Sequence, residues 1–170
     1  MRFALRNTSR GWIGALASDR GLKKIVLPLP SREQVLVDLG QEEHEQEDPS
    51  LMAFLEQVEL YLEGDPQVLD DVWDEEVGTP FQRAVWRATQ QIPRGETRSY
   101  GQVAETIGRP QASRAVGRAL ACNPLPLLVP CHRVVATNGS LCGFACGQRM
   151  KRRLLALEGA KAVLNCPEDI

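Results

Sequence analysis

The sequence predicts a mixed α/β chain in two parts: a small strand-and-helix domain over residues 1–76, then a mainly helical domain over residues 77–170. Three observations predict this. Early in the chain, short apolar runs flank turn residues, whereas beyond residue 80 apolar residues recur at helical spacing. Residues 1–76 hold 7 Lys+Arg and 17 Asp+Glu, and the rest hold 13 and 5. The overall net charge of −2 therefore conceals an acidic part of −10 and a basic part of +8. Where the two meet, Gly78-Thr79-Pro80 carries a helix-start signal, a capping threonine followed by proline at the first helical position.

The elements follow in order. WIGALA and LKKIVLPL flank the turn-forming SDRG and predict a hairpin. QEEHEQEDPS reads as a solvated acidic loop, with His44 on its surface. LMAFLEQVELYLEGD places Leu51, Phe54, Leu55, Val58 and Leu62 on one helical face, with Gly64 as the stop. PQVLDDVW (66–73) predicts a further strand. PFQRAVWRATQQI predicts a helix with Phe81, Val85, Trp86 and Ala88 facing a core, ended by Pro93-Arg94-Gly95. RSYGQVAETIG and QASRAVGRALAC, broken at Arg109-Pro110, read as two short helices joined by a glycine-containing turn. That is the helix-turn-helix pattern, here winged-helix-like. KRRLLALEGA predicts a last helix.

Composition excludes several classes. The apolar runs are too short to span a membrane, and MRFALRNTSRGW lacks the features of a signal peptide. The five cysteines, an odd number all in the last third, do not read as a disulfide framework. A reducing, cytosolic compartment is expected. The basic half has the charge of a polyanion-binding domain. Within it, QASRAVGRALA consists of small residues plus Arg114 and Arg118. Such a thin helix either packs tightly inside the protein or presses into a narrow DNA groove with Arg114 as a probe.

The segment LLVPCHRVVATNGS sets Cys131 beside His132 and Arg133 in apolar surroundings. Three roles are open to Cys131. As a metal ligand it lacks a Cys-x-x-Cys partner and a zinc-like spacing. As an inert buried thiol it would be ordinary. As a nucleophile it would need His132 for activation. Adjacent side chains diverge, so His132 would act through water unless the backbone turns sharply there. It would also need an orienting acid. Glu158 is one of only three acids after residue 131, and the others, Glu168 and Asp169, lie in a terminal tail.

PCHRVV, Asn123-Pro124 eight residues before the cysteine, and LLALEG after it resemble the O6-alkylguanine-DNA alkyltransferases (methylated-DNA–protein-cysteine methyltransferases). FQRAVWRA, IPRGETRSYGQVA, SRAVGRA and NPLPLLVPCHRVV extend the resemblance from Thr79 to Gly159. The acidic half resembles the family's variable N-terminal domain only loosely. The resemblance implies irreversible, single-turnover transfer of an alkyl group from O6 of guanine to Cys131. His132 would take the thiol proton through water, with Glu158 orienting it. Tyr100 would donate to the departing base, and Asn123 would hold the turn. Ser113, Arg114 and Ala115 would meet the DNA, with Arg114 entering the stack as the damaged nucleotide is extruded. Pro126, Val134, Phe144, Ala145 and Cys146 would line the alkyl and base pocket. Arg133 would be a buried structural charge. The expected partner is duplex DNA containing O6-alkylguanine, bound through the minor groove by a monomer, with O4-methylthymine as a further substrate. No cofactor and no metal are expected.

LCGFACG departs from the family pattern. Cys146 stands where many relatives have glycine, and Ala145 lacks a hydroxyl that some relatives carry. A narrower pocket favouring methyl over bulky groups is the expectation. Other readings are a lesion-binding protein without transfer activity, a winged-helix regulator with Cys131 as redox sensor, and a Cys–His hydrolase. The presence of Cys131 opposes the first. The set Tyr100, Cys131 and Glu158 opposes the second, and the adjacency of Cys131 and His132 opposes the third.

Overall fold

A computed structural model describes residues 1–42, 47–66, 68–141 and 147–161. The chain divides into two compact units, Met1–Val77 with Pro124–Leu128, and Gly78–Asn123 with the chain from Val129 onward. The fold is mixed α/β.

The first unit is built on an antiparallel meander of β1 (Arg2–Thr8), β2 (Gly11–Ser18) and β3 (Gly21–Leu29). The expected hairpin is its β2–β3 half, with Ser18 opposite Gly21 across the turn. β1 supplies a third strand, and its Phe3 and Leu5 are buried with Val26. Helix α1 (Arg32–Leu39) starts at Ser31, whose side chain accepts from the Gln34 N–H. Its Val35, Leu36 and Leu39 join Phe3, Leu5 and Val26 in one core cluster. Gly14 makes this packing possible, because a Cβ there would lie 2.5 Å from Val35 Cγ1. Helix α2 (Met52–Glu63) buries Phe54, Leu55, Val58, Tyr61 and Leu62 and ends at Gly64 in the left-handed conformation, as its spacing predicts.

The strand expected over 66–73 does not form among the described residues of that stretch. Instead Trp73 makes one isolated bridge to Leu22. The Leu22 N–H donates to the Val72 carbonyl at 2.9 Å, and the Asp74 N–H donates to the Leu22 carbonyl at 2.8 Å. Pro66, Asp70 and Asp71 are poor strand residues. The segment is pinned by the buried Asp74 carboxylate, which accepts from Ser18 Oγ at 2.7 Å and from the Glu76 N–H at 2.9 Å. Residues 124–128 return to this unit, where the Ile25 N–H donates to the Pro124 carbonyl at 2.8 Å.

The second unit opens with α3 (Pro80–Gln90), whose capping box joins Thr79 and Gln82 in both directions. Val85, Trp86 and Thr89 are its buried residues, while Phe81 and Ala88 at the edges of the stripe are half-buried. The Thr89 hydroxyl is accommodated inside by donating to the Val85 carbonyl at 2.8 Å. After β4 (Arg98–Ser99), α4 (Tyr100–Thr106) has its own capping box, Ser99 with Gln102. Residues 107–112 connect it to α5 (Ser113–Ala121), and α4 and α5 pack on each other and on α3. Trp86 fixes α5 by donating its indole N–H to the Ala119 carbonyl at 2.9 Å. A 3₁₀ turn at Cys131–Arg133 leads into β5 (Val134–Val135), which pairs in parallel with β4. Helix α6 (Gln148–Leu157) closes the unit by packing Leu155 against Val135, Leu141 and Ala160. Among the described residues, no helix is long and apolar enough to cross a membrane.

Because Gly14 sits under α1 without space for a side chain, Gly14→Val should destabilise the chain by about 1–3 kcal/mol. Urea unfolding would show this as a lower midpoint with an unchanged slope.

Candidate functional site

The site grows from the turn after Pro130. The Cys131 N–H donates to the Val129 carbonyl at 2.7 Å, and the Arg133 N–H donates to the Pro130 carbonyl at 2.9 Å. A 3₁₀ turn has about three residues per turn, so the side chains of Cys131, His132 and Arg133 leave it in three directions. The backbone does turn sharply here.

Each direction has its own partner. Asn123, just past the end of α5, spans the loop before the cysteine. Its Nδ2 donates to the Val129 carbonyl at 3.0 Å and to Cys131 Sγ at 3.1 Å. An amide N–H aimed at sulfur stabilises negative charge developing there. Cys131 is 7% exposed. His132 is completely buried, with its Nε2 2.8 Å from Glu158 Oε1. Arg133 forks the same carboxylate, Nε to Oε2 at 2.9 Å and Nη2 to Oε1 at 2.8 Å. Its remaining Nη1 donates to the Ile92 carbonyl at 2.6 Å.

Glu158 sits at the C-terminal end of α6 with a fully buried side chain. Burial holds the His132 imidazole below its ordinary pKa. The hydrogen bond and charge of Glu158 pull it up, but less strongly, and the positive charges of Arg133 and Lys151 push it further down. The ring is thus neutral at pH 7 and able to accept a proton.

A cavity of about 470 Å³ opens between the N-terminal ends of α4 and α5 and the loop after β5. Tyr100, Ser113, Arg114, Gly117, Ala136 and Thr137 line it. Arg114 is exposed at its rim. The Tyr100 ring lies beside Gly117 of α5, where an added Cβ would stand in ordinary van der Waals contact with Tyr100 Cε1 at 3.7 Å. A second cleft of about 480 Å³ lies in the first unit among Arg2, Arg20, Phe54 and Asp71, with no cysteine in its lining.

The expected site residues therefore fall into groups. Cys131, His132, Glu158 and Asn123 form one connected cluster. Tyr100, Ser113 and Arg114 line the cavity, and Ala115 is half-buried on α5. Val134 is fully buried, with its carbonyl accepting from Lys151 Nζ at 2.6 Å. Pro126 is buried in the segment that folds with the first unit. Phe144, Ala145 and Cys146 lie outside the described residues, as do His44 and Cys142. Among the described residues no group of His, Cys, Asp and Glu could hold a metal ion.

Sequence reasoning missed Lys151, which is 1% exposed and lies 5.9 Å from the centre of the Tyr100 ring. The signal was there: Lys151, Leu154, Leu155 and Glu158 share the i, i+3, i+4, i+7 face of α6, so two charges occupy the buried stripe.

Residues 80–160 match the model of the 6-O-methylguanine DNA methyltransferase DNA-binding domain. A methylated-DNA–protein-cysteine methyltransferase of Mycolicibacterium paratuberculosis is 50% identical over 113 residues, 66% of this chain and 68% of that protein. One from Methanosarcina acetivorans is 50% identical over 104 residues, 61% of this chain and 66% of that protein. These alignments thus span about two thirds of the curated relatives' length. A crystal structure of Mycobacterium tuberculosis OGT in complex with DNA covers 96% of this chain and 98% of its own, with 34% identity and a TM-score of 0.76.

The chain belongs to the methylated-DNA–protein-cysteine methyltransferase family.

The family's matched region contains both the cluster around Cys131 and the cavity lined by Tyr100 and Arg114. In this family member the buried His132–Glu158 pair also sets a pH dependence. An unfolded histidine is half protonated near pH 6.5, whereas His132 resists protonation in the folded chain. Below about pH 6.5 the unfolded chain binds the extra proton, so stability falls as pH drops through that window. Urea midpoints between pH 8 and pH 5 should decline more steeply for the native chain than for His132→Gln.

Proposed function

We propose that this chain repairs DNA by moving an alkyl group, methyl above all, from O6 of guanine to Cys131. The family supports the reaction class. Its assignment to these residues rests on one observation: Cys131 Sγ, touched by the Asn123 amide, directly precedes a buried, neutral His132 held by Glu158. A soft thiolate attacks the saturated carbon in line. The S–C bond forms as the C–O6 bond breaks, and the electron pair leaves with guanine. The thiol proton passes through water to His132, whose Nε2–H is held by Glu158. Tyr100 gives its proton to the departing base, so the base leaves neutral, and the phenolate regains a proton from solvent. The thioether has no route back, so each molecule acts once. No step calls for a metal or an organic cofactor.

The partner in this reading is duplex DNA carrying O6-alkylguanine, with O4-methylthymine as a further substrate because it presents the same alkyl–oxygen bond. The thin α5 enters the minor groove, and Ser113, Arg114 and Ala115 lead. Arg114 fills the stack while the damaged nucleotide turns out into the cavity. Affinity is mostly electrostatic and weakly dependent on sequence. The protein acts as a monomer, in a reducing cytosol that keeps Cys131 a thiol.

Intact-mass measurement with peptide mapping, after mixing with a duplex bearing one O6-methylguanine, tests this. One methyl on Cys131, with repair stopping when the protein is used up, is the expected result. Cys131→Ser should bind the lesion and transfer nothing. Lesion binding by the native chain without transfer, or methyl on another cysteine, would overturn the assignment.

A further inference from the structure

The motif IPRG, residues 92–95, has no part in the chemistry above, yet it surrounds the acid of the relay. The Ile92 carbonyl accepts from Arg133 Nη1 at 2.6 Å. Arg94 Nη2 donates to the Leu157 carbonyl at 3.1 Å, on the residue before Glu158. Gly95 has φ +81°, and a Cβ there would stand 3.0 Å from the Glu158 carbonyl oxygen. The loop after α3 thus meets the end of α6 at Arg94 and Gly95 and presents the Ile92 carbonyl to the guanidinium of Arg133.

That guanidinium is the centre of the arrangement. Its side chain is 12% exposed, and its planar fork meets both oxygens of Glu158. A carboxylate held at one point rotates about its last bond, but one held at both oxygens does not. Oε1 is shared, with Arg133 Nη2 and His132 Nε2 each 2.8 Å away. Resting on the functional reading above, we propose that Arg133 is a positioning residue for the alkyl transfer. Fixed by the Ile92 carbonyl, it locks the Glu158 carboxylate so that Oε1 holds the Nε2–H tautomer of His132 and leaves Nδ1 as the proton acceptor.

Two properties of arginine do separate work here. The fork sets orientation, which lysine cannot copy. The positive charge, behind burial and the opposing pull of Glu158, makes His132 take a proton less readily. The charged and titratable groups around that ring are Glu158 and Lys151 on α6 and Cys131 and Arg133 on its own turn, with Tyr100 of α4 beyond Lys151.

Arg133→Lys keeps the charge and loses the fork, and Arg133→Gln loses both. His132 is one of only two histidines, so its ring nitrogens are readily followed by nitrogen-15 NMR through a pH titration of the DNA-free protein. The methyl-transfer rate is measured in single turnover on an O6-methylguanine duplex, below each variant's melting transition. In Arg133→Gln, His132 should charge at higher pH than in the native chain, and the acid limb of the rate profile should move up with it. In Arg133→Lys, the titration should stay near native while the neutral-pH rate falls about tenfold or more. Native rates in both variants, or a native His132 titration in Arg133→Gln, would overturn the proposal. If the native chain itself moved no methyl, the functional reading would fail while the titration still decided whether Arg133 controls the pair.

Discussion

The carboxylate of Glu158 is the constraint on which the site depends. It lies at the end of α6 with no solvent contact. A buried charge of this kind is tolerated only when paired and fully hydrogen-bonded. Two partners meet it from one turn of chain, His132 and Arg133. Both must leave the backbone in directions that converge on α6 while Cys131 leaves in a third. A 3₁₀ turn does this, whereas an extended strand would send successive side chains to opposite faces. The cysteine is thus placed by the same turn that satisfies the acid.

The surrounding elements hold that turn from several sides. Asn123 ties the cysteine to the preceding loop, and the position of Asn123 follows from α5, which Trp86 fixes through the Ala119 carbonyl. Immediately after Arg133, β5 pairs with β4, and β4 runs straight into Tyr100 at the start of α4. The helices that line the cavity and the groups around the thiol are therefore linked by a few hydrogen bonds rather than by a large sheet. Lys151 adds a second buried charge on α6, resting on the Val134 carbonyl beneath the Tyr100 ring. A site that concentrates one acid and two cations in apolar surroundings is bound to perturb histidine, and His132 is held neutral by burial above all.

Much of this was legible in the sequence because it is local. The helix starting at Thr79-Pro80, the stop at Gly64, the hairpin around SDRG and the break near Arg109-Pro110 are all written in neighbouring residues. Glu158 could be singled out because the basic half holds so few acids. What was not legible depends on contacts distant in sequence. Over 66–73 the poor strand residues Pro66, Asp70 and Asp71 are local, but the anchoring of the segment by Asp74 on Ser18 is not. β1 buries Phe3, Ala4 and Leu5 in succession, so it shows no alternation by which a strand is read from sequence. Arg133 looked like a structural charge, and its fork on Glu158 and its hold on Ile92 link residues 92, 133 and 158. Residues 142–146, which include the expected pocket residues Phe144, Ala145 and Cys146, lie outside the described residues.

The central claim is that His132 and Glu158 act on Cys131 as one relay. The most direct test is a double-mutant cycle on the single-turnover methyl-transfer rate, with His132→Gln, Glu158→Gln and the two combined. Groups that work as a unit lose their whole effect when either is removed. The account predicts that the double variant is about as slow as the slower single variant. Losses that simply multiply, each residue contributing regardless of the other, would contradict it.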